Sequence, residues 1–321
     1  MMSNADPHLT AAPKSASHTR HLNRVRRVMA ALIQALGPVA DEADSVQLDD
    51  AHIDELMSIV EQLLGYLRPE LRGAEQLEGL DGALIVGNHG LMGVDSFALY
   101  PLLWRATRRL PRGLGDRALF EVEPLRRLVT HMGAVVGERD NAIELLTRDE
   151  LVLVYPGGSA DSFKGPDRRY RLPWADRTGF IRVAMRAQKP IVPVMGAGID
   201  DAYHYLFHDR WLFPRLFGQG KARYAFPVSV GMGLLPLPGT RFTFTVSAPI
   251  YPPSDPALAD DEVAVRAFHA DVWRSCQTDL DAAMATWRTE RANEGRGSSV
   301  PQMRTAARAR ALMRGLARFR T

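Results

Sequence analysis

The chain has 321 residues, 46% of them hydrophobic and 24% charged. That is enough to bury a sizeable core and is far from the composition of disordered or fibrous chains. A single cysteine, Cys276, excludes an internal disulfide framework and reads as intracellular, and the longest uncharged stretch, 224–240, is interrupted by Pro227, Pro236 and Pro238, which argues against a single-span membrane anchor.

Residues 1–20 are small and polar without apolar periodicity and read as a disordered leader. Residues 21–70 read as a pair of amphipathic helices. Leu22, Val25, Met29, Leu32 and Leu36 mark the first stripe, and Ile53, Leu56, Val60, Leu63 and Leu67 mark the second, capped by Asp49 or Asp50. Short β-branched runs follow at 83–88 (ALIVGN), 133–136 (GAVV), 151–155 (LVLVY) and 190–194 (PIVPV), with helical patterns at 121–132 and 178–188 between them. Alternation of this kind implies an α/β fold with a mostly parallel central sheet flanked by helices. Residues 203–252 are rich in aromatics, Gly and Pro, with one alternating strand at 241–247. A long helix over 260–290 carries a stripe of Phe268, Val272 and Cys276, with Trp273, Leu280, Met284 and Trp287 beside it, read as packing. A Gly-Ser joint at 295–299 then leads into a basic amphipathic tail.

That tail carries most of the positive charge. Residues 291–321 hold eight arginines against Glu294, although the whole chain is only +3. A basic tail on a mildly acidic body suits an anionic surface. Leu312, Leu316 and Phe319 fall opposite Arg310, Arg314 and Arg318 on a helix, the pattern of an interfacial segment. With no nucleic-acid motif elsewhere, a membrane surface is the expected partner, with the aromatic segment 203–217 as a second insertion surface.

Chemistry in parallel sheets gathers where strands end. The first run ends in GNHGLMGVD, with five residues between His89 and Asp95. A histidine titrating near neutrality takes a proton from a hydroxyl, and a carboxylate fixes its tautomer. In isolation the pair also reads as a loop cap, with Asp95 capping the helix from Ser96. The second run ends in GERD, placing Arg139 where its planar fork can meet phosphate or carboxylate oxygens. The third ends in YPGGSADSFKG, where Gly157 and Gly158 let backbone approach a ligand or simply make a tight turn, with Lys164 beyond.

Taken in order, NHGLMGVD, GERD, YPGG and GFIRVAMRAQKPIVPV resemble the four sequence blocks of the lysophospholipid and glycerol-phosphate acyltransferase superfamily. Pro-Gly-Gly in the third block, together with YRLPWADRTGF (170–180) and LGDRALFEVEPLRRLVTHMG (114–133), is most similar to the neutral-lipid branch of monoacylglycerol and diacylglycerol acyltransferases and phytyl ester synthases. The resemblance covers roughly residues 70–250 and implies an acyltransferase domain over 71–290. It implies transfer of an acyl group from acyl-CoA or acyl carrier protein to a lipid hydroxyl, with His89 as base and Asp95 as its orienter. Asn88, Arg139, Gly157, Gly158 and Lys164 would contact substrate: the two glycine amides at the oxyanion, and Arg139 or Lys164 at donor phosphates. Neither a metal nor a further cofactor is implied.

The chain departs from the family pattern in three places. The His–Asp spacing is five residues instead of four, Gly157 replaces the acid of phosphate-utilising members, and Ala160 stands where an arginine is frequent. These losses favour a neutral alcohol or glycerolipid acceptor over a lysophospholipid. Two other readings remain: a non-catalytic lipid-binding homologue, and a serine esterase using Ser159, though GGSAD lacks a nucleophile elbow. The expected location is the cytoplasmic inner face of a membrane, bound peripherally.

Overall fold

The computed structural model describes residues 49–209 except 175, residues 226–230 and 236, and residues 239–297. The expected leader, the first amphipathic helix, most of the aromatic segment and the arginine-rich tail lie outside the described residues.

The chain opens with α1 (Asp50–Leu64), capped by the Asp49 carboxylate, which accepts from His52 N–H at 2.8 Å. Strands β1 (Glu70–Arg72) and β2 (Ala83–Gly87) follow, then α2 (Val94–Thr107), β3 (Arg112–Gly115), the single turn α3 (Ala118–Glu121) and α4 (Glu123–His131). The next elements are β4 (Val135–Val136), α5 (Arg139–Thr147), β5 (Leu151–Val154), the single turn α6 (Ser159–Ser162), α7 (Gly179–Ala187) and β6 (Ile191–Ala197). A two-stranded antiparallel ribbon, β7 (His204–Asp209) with β8 (Phe226–Val230), precedes β9 (Thr243–Val246) and α8 (Glu262–Gly297).

Seven strands form one sheet in the order β1-β9-β6-β2-β5-β3-β4. Every neighbouring pair is parallel except β6–β9. The α/β fold expected from the alternating runs is therefore present. Apolar side chains leave both faces, as two-sided burial requires. Along β2, Ala83 and Ile85 enter one core with Leu99, Leu103 and Trp104 of α2, while Leu84 and Val86 enter the other. The second core is closed by α8 through the expected stripe of Phe268, Val272 and Cys276 and through Leu280, Met284 and Trp287 beside it. Trp273 is instead partly exposed, its indole N–H donating to the Leu172 carbonyl. Each such side chain withdrawn from water stabilises the fold by about 1.5–3 kcal/mol.

Several boundaries move. The helix expected over 121–132 is α4, one helix that starts two residues later, after a break at Val122, where Pro124 suits a first turn. Helix α8 runs through Gly295 to Gly297, so the expected joint at 295 is helical. The segment 50–70 is part of the main body, because Ile53, Leu56, Met57 and Val60 share the core of α2. Strands β1 and β3 are not predicted from the sequence; ELR and RGLG are too short and too polar to stand out.

Candidate active site

The strands β6, β2 and β5 are adjacent and parallel, so the loops after them share one edge of the sheet. The loop after β2 carries Asn88, His89 and Gly90. Asn88 is buried, and its side-chain amide exchanges two hydrogen bonds with the Gly196 backbone of β6, at 2.9 and 2.7 Å. Both ends of that amide are committed to joining strands, which corrects the expectation that Asn88 contacts substrate.

His89 and Asp95 meet. The His89 Nδ1 lies 2.9 Å from Asp95 Oδ2, and the other carboxylate oxygen accepts from Gly90 N–H at 3.0 Å. The five intervening residues fit because Leu91–Gly93 form a tight 3-10 turn that ends at Gly93 with φ +70°. Glycine is required there twice over: the left-handed backbone is costly for other residues, and a Cβ would stand 3.2 Å from His89 Cε1. Asp95 thus closes the loop and holds the ring; it does not cap a helix from Ser96, because α2 begins at Val94 after Gly93, with no side-chain capping bond. With Nδ1 donating to the carboxylate, Nε2 is the atom left to take a proton.

The environment sets how basic that atom is. The His89 side chain is 15% exposed and that of Asp95 1%. Burial opposes a charge on His89, but the Asp95 carboxylate and its hydrogen bond outweigh burial. Asp161 adds a further pull against a push from Lys164, and the net result is a pKa raised above the ordinary histidine value. Tyr155, at the end of β5, stacks on the imidazole with ring centroids 4.0 Å apart and planes at 12°. This flat contact covers one face of the ring and fixes its plane.

The Pro-Gly-Gly turn lies behind this loop. Gly158 has φ +51°, and its N–H closes the turn onto Tyr155 O at 2.8 Å, so that amide is not open to an oxyanion. Gly157 packs on Asp161, whose Cβ would be 2.5 Å from an added methyl, and makes no such backbone bond among the described residues. Arg177, which the sequence reading left without a role, lies beside Gly158, its Nη1 3.1 Å from where a Cβ would stand. Arg139, the first residue of α5, lies beside Gly179, with Nε at 3.5 Å from the equivalent position. Both guanidiniums are exposed and have no salt-bridge partner among the described residues.

Lys164 departs most from expectation. Its side chain is 2% exposed, and its ammonium meets Asp161 at 2.8 Å, Asp200 at 3.0 Å and the His89 carbonyl at 3.1 Å. All three N–H donors are spent inside the protein, so Lys164 is not a phosphate ligand. Ser159 sits in α6 with no hydrogen bond to His89 among the described residues, and the esterase reading lacks its nucleophile–base contact.

Residues 68–196 match the family model described as Acyltransferase. Over that segment the chain is similar to the acyltransferase family. The acyltransferase segment begins just before β1 and ends within β6, so it includes His89, Asp95, Gly157, Gly158 and both exposed arginines. Among relatives, the protein called "DGAT1/2-independent enzyme synthesizing storage lipids" of Bos taurus is 25% identical over 204 residues, 63% of this chain and 57% of its own length. Its Mus musculus counterpart is 27% identical over 202 residues, covering 63% and 57%. An uncharacterized protein of Mycobacterium leprae is 31% identical over 226 residues, covering 68% of this chain and 61% of that one. The chain thus spans less than two thirds of the length of these relatives. The 1-acyl-sn-glycerophosphate (LPA) acyltransferase PlsC from Thermotoga maritima aligns in structure with a TM-score of 0.46 and 12% identity, covering 83% of this chain and 93% of that one.

Proposed function

We propose that this chain is an O-acyltransferase that moves a fatty acyl group from a thioester, acyl-CoA or acyl carrier protein, to a lipid hydroxyl. The observation that carries the proposal is the part-buried His89–Asp95 pair, with Nδ1 held at 2.9 Å and Nε2 left as the proton acceptor. In this reading Nε2 takes the hydroxyl proton as the oxygen attacks the thioester carbonyl. The tetrahedral intermediate then collapses, the carbon–sulfur bond breaks, and the departing thiolate recovers the proton from Nε2. The products are an ester and a free thiol. Asp95 stabilises the imidazolium that exists between the two transfers, and base catalysis of this kind is worth roughly 10²- to 10⁴-fold. Gly157 N–H and the Arg177 guanidinium are the groups left for the oxyanion, and Arg139 for donor phosphates.

The acceptor proposed is a neutral glycerolipid or alcohol. Gly157 and Ala160 stand where phosphate-utilising members have an acid and frequently a base, and the one buried lysine nearby is occupied by Asp161 and Asp200. The name of the Bos taurus relative, which refers to storage lipids, points the same way. No helix among the described residues is long and apolar enough to cross a membrane, and we propose that the chain reaches lipid peripherally, through the arginine-rich tail. The test is mass spectrometry of products formed from mixed acyl-CoAs with diacylglycerol, a long-chain alcohol and lysophosphatidic acid in competition. Ester formation on the neutral acceptors, lost in His89→Ala, is the expected result. Faster acylation of lysophosphatidic acid would overturn the acceptor assignment, and no His89-dependent product from any pair would overturn acyl transfer.

A further inference from the structure

An ammonium and two carboxylates lie buried directly behind the His89 loop. The side chains of Lys164, Asp161 and Asp200 are 2%, 0% and 1% exposed. Desolvating such ions costs several kcal/mol each, and apolar side chains of the same volume often hold loops together as well or better. Cohesion alone therefore does not account for them. Their contacts suggest what else they supply. Asp161 Oδ2 accepts from His89 N–H at 3.0 Å, Lys164 Nζ donates to the His89 carbonyl at 3.1 Å, and the two side chains are joined to each other at 2.8 Å. One ion pair thus grips both polar groups of the His89 backbone, one on each side of its Cα. Asp200, on the turn after β6, takes another donor of the ammonium and also accepts from Tyr170 N–H at 2.6 Å. The grip is thereby tied to the sheet and to the segment that follows α6.

We propose that Asp161, Lys164 and Asp200 form a positioning triad that fixes the φ and ψ of His89, and so keeps its imidazole on Asp95 with Nε2 directed at the substrate. None of the three touches the reacting atoms. The groups that face His89 are Asp95 from α2, Tyr155 from the end of β5, and Asp161 and Lys164 from α6 and the residues after it. Among the described residues, only the last two hold its backbone. The kinetic part of this proposal rests on the acyl-transfer reading; the geometric part does not.

The experiment compares Asp161→Asn with Asp200→Asn. Asparagine at 161 has one carbonyl oxygen for two donors, His89 N–H and the Lys164 ammonium, and its NH₂ must oppose one of them. The same substitution at 200 disturbs the same buried ion group without touching His89. Expected for Asp161→Asn is a fall in kcat of about 10- to 100-fold with KM held within about twofold, because the base is misaimed while substrate binding is kept. The downfield Nδ1 proton of the His89–Asp95 hydrogen bond, read by NMR and assigned by its loss in His89→Gln, should disappear as well. Asp200→Asn should show a comparable fall in Tm with that proton signal retained and a loss of kcat roughly ten times smaller. Equal kinetic losses in the two variants, or a retained proton signal in Asp161→Asn, would overturn the triad. If the parent protein transfers no acyl group, the acyl-transfer reading fails separately, and the NMR comparison still decides the positioning.

Discussion

Replacing Asp95 with asparagine tests the centre of the mechanism, because the new side chain has the same shape but cannot satisfy both of its neighbours. In the parent, one carboxylate oxygen receives Gly90 N–H at 3.0 Å and the other receives His89 Nδ1 at 2.9 Å. If the asparagine carbonyl stays on Gly90, its NH₂ faces Nδ1, which must then accept. The ring proton is driven to Nε2, and the atom meant to receive the hydroxyl proton is occupied. The flipped orientation restores the tautomer but leaves the Gly90 N–H facing a donor, an unsatisfied buried group that costs about 1–3 kcal/mol. That energy holds the competent state down by roughly 5- to 150-fold, and losing the carboxylate removes stabilisation of the imidazolium on top of it. Together these give a fall in kcat of about 10² to 10⁴. The assay is thiol release from acyl-CoA with a diacylglycerol acceptor, run beside thermal unfolding to confirm that Tm is little changed. A variant with kcat within about threefold of the parent would refute the dyad.

His89→Ala is expected to abolish transfer and to lower Tm without unfolding the protein, because the buried Asp95 carboxylate loses its partner, as read by product mass spectrometry and thermal melts. Because the His89 pKa is raised, the base is already protonated at pH values where free histidine is neutral. The acid limb of kcat/KM should therefore lie above the ordinary 6.5, with activity rising as pH increases through it; a limb at or below 6.5 would contradict the assignment. Gly198→Ala should cost at least about 2 kcal/mol in urea unfolding, since the residue has φ +84° and its Cβ would stand 2.0 Å from the Arg241 carbonyl oxygen. Deleting residues 300–321 should weaken binding to anionic vesicles and reduce its salt sensitivity while sparing turnover of detergent-dispersed substrate; unchanged vesicle binding would exclude the tail as the anchor.

How much was legible in the sequence depended on whether a residue's role was local. Strands β2, β5 and β6 announce themselves because burial on both faces demands continuous apolar runs, and the chemistry follows directly after them. The His89–Asp95 pair is legible for the same reason: its partners are six positions apart on one loop. β1 is not, because Glu70–Arg72 becomes a strand only when β9, far along the chain, offers it a ladder. Lys164 misleads for a similar reason. A lysine three residues from an aspartate looks like a solvated surface pair, and its burial depends on Asp200, which only the sheet brings near. Asn88 likewise looks like a ligand until Gly196 is seen to occupy both ends of its amide.

The strand order carries a consequence for how this domain comes to exist. The family-model match ends at residue 196, within β6. Yet β6 is flanked on one side by β9, and the face it shares with β2 is sealed by α8. A fragment ending at 196 would have every residue proposed to touch substrate, yet it would lack Asp200 and present an unpaired strand and an uncovered apolar face to water. On a ribosome the same holds in time: β1 emerges early and waits for a partner more than 170 residues behind it, as its register with Thr243 shows. The recognisable part of the molecule is thus not a self-sufficient folding unit, and a minimal version designed for study must keep the chain through α8.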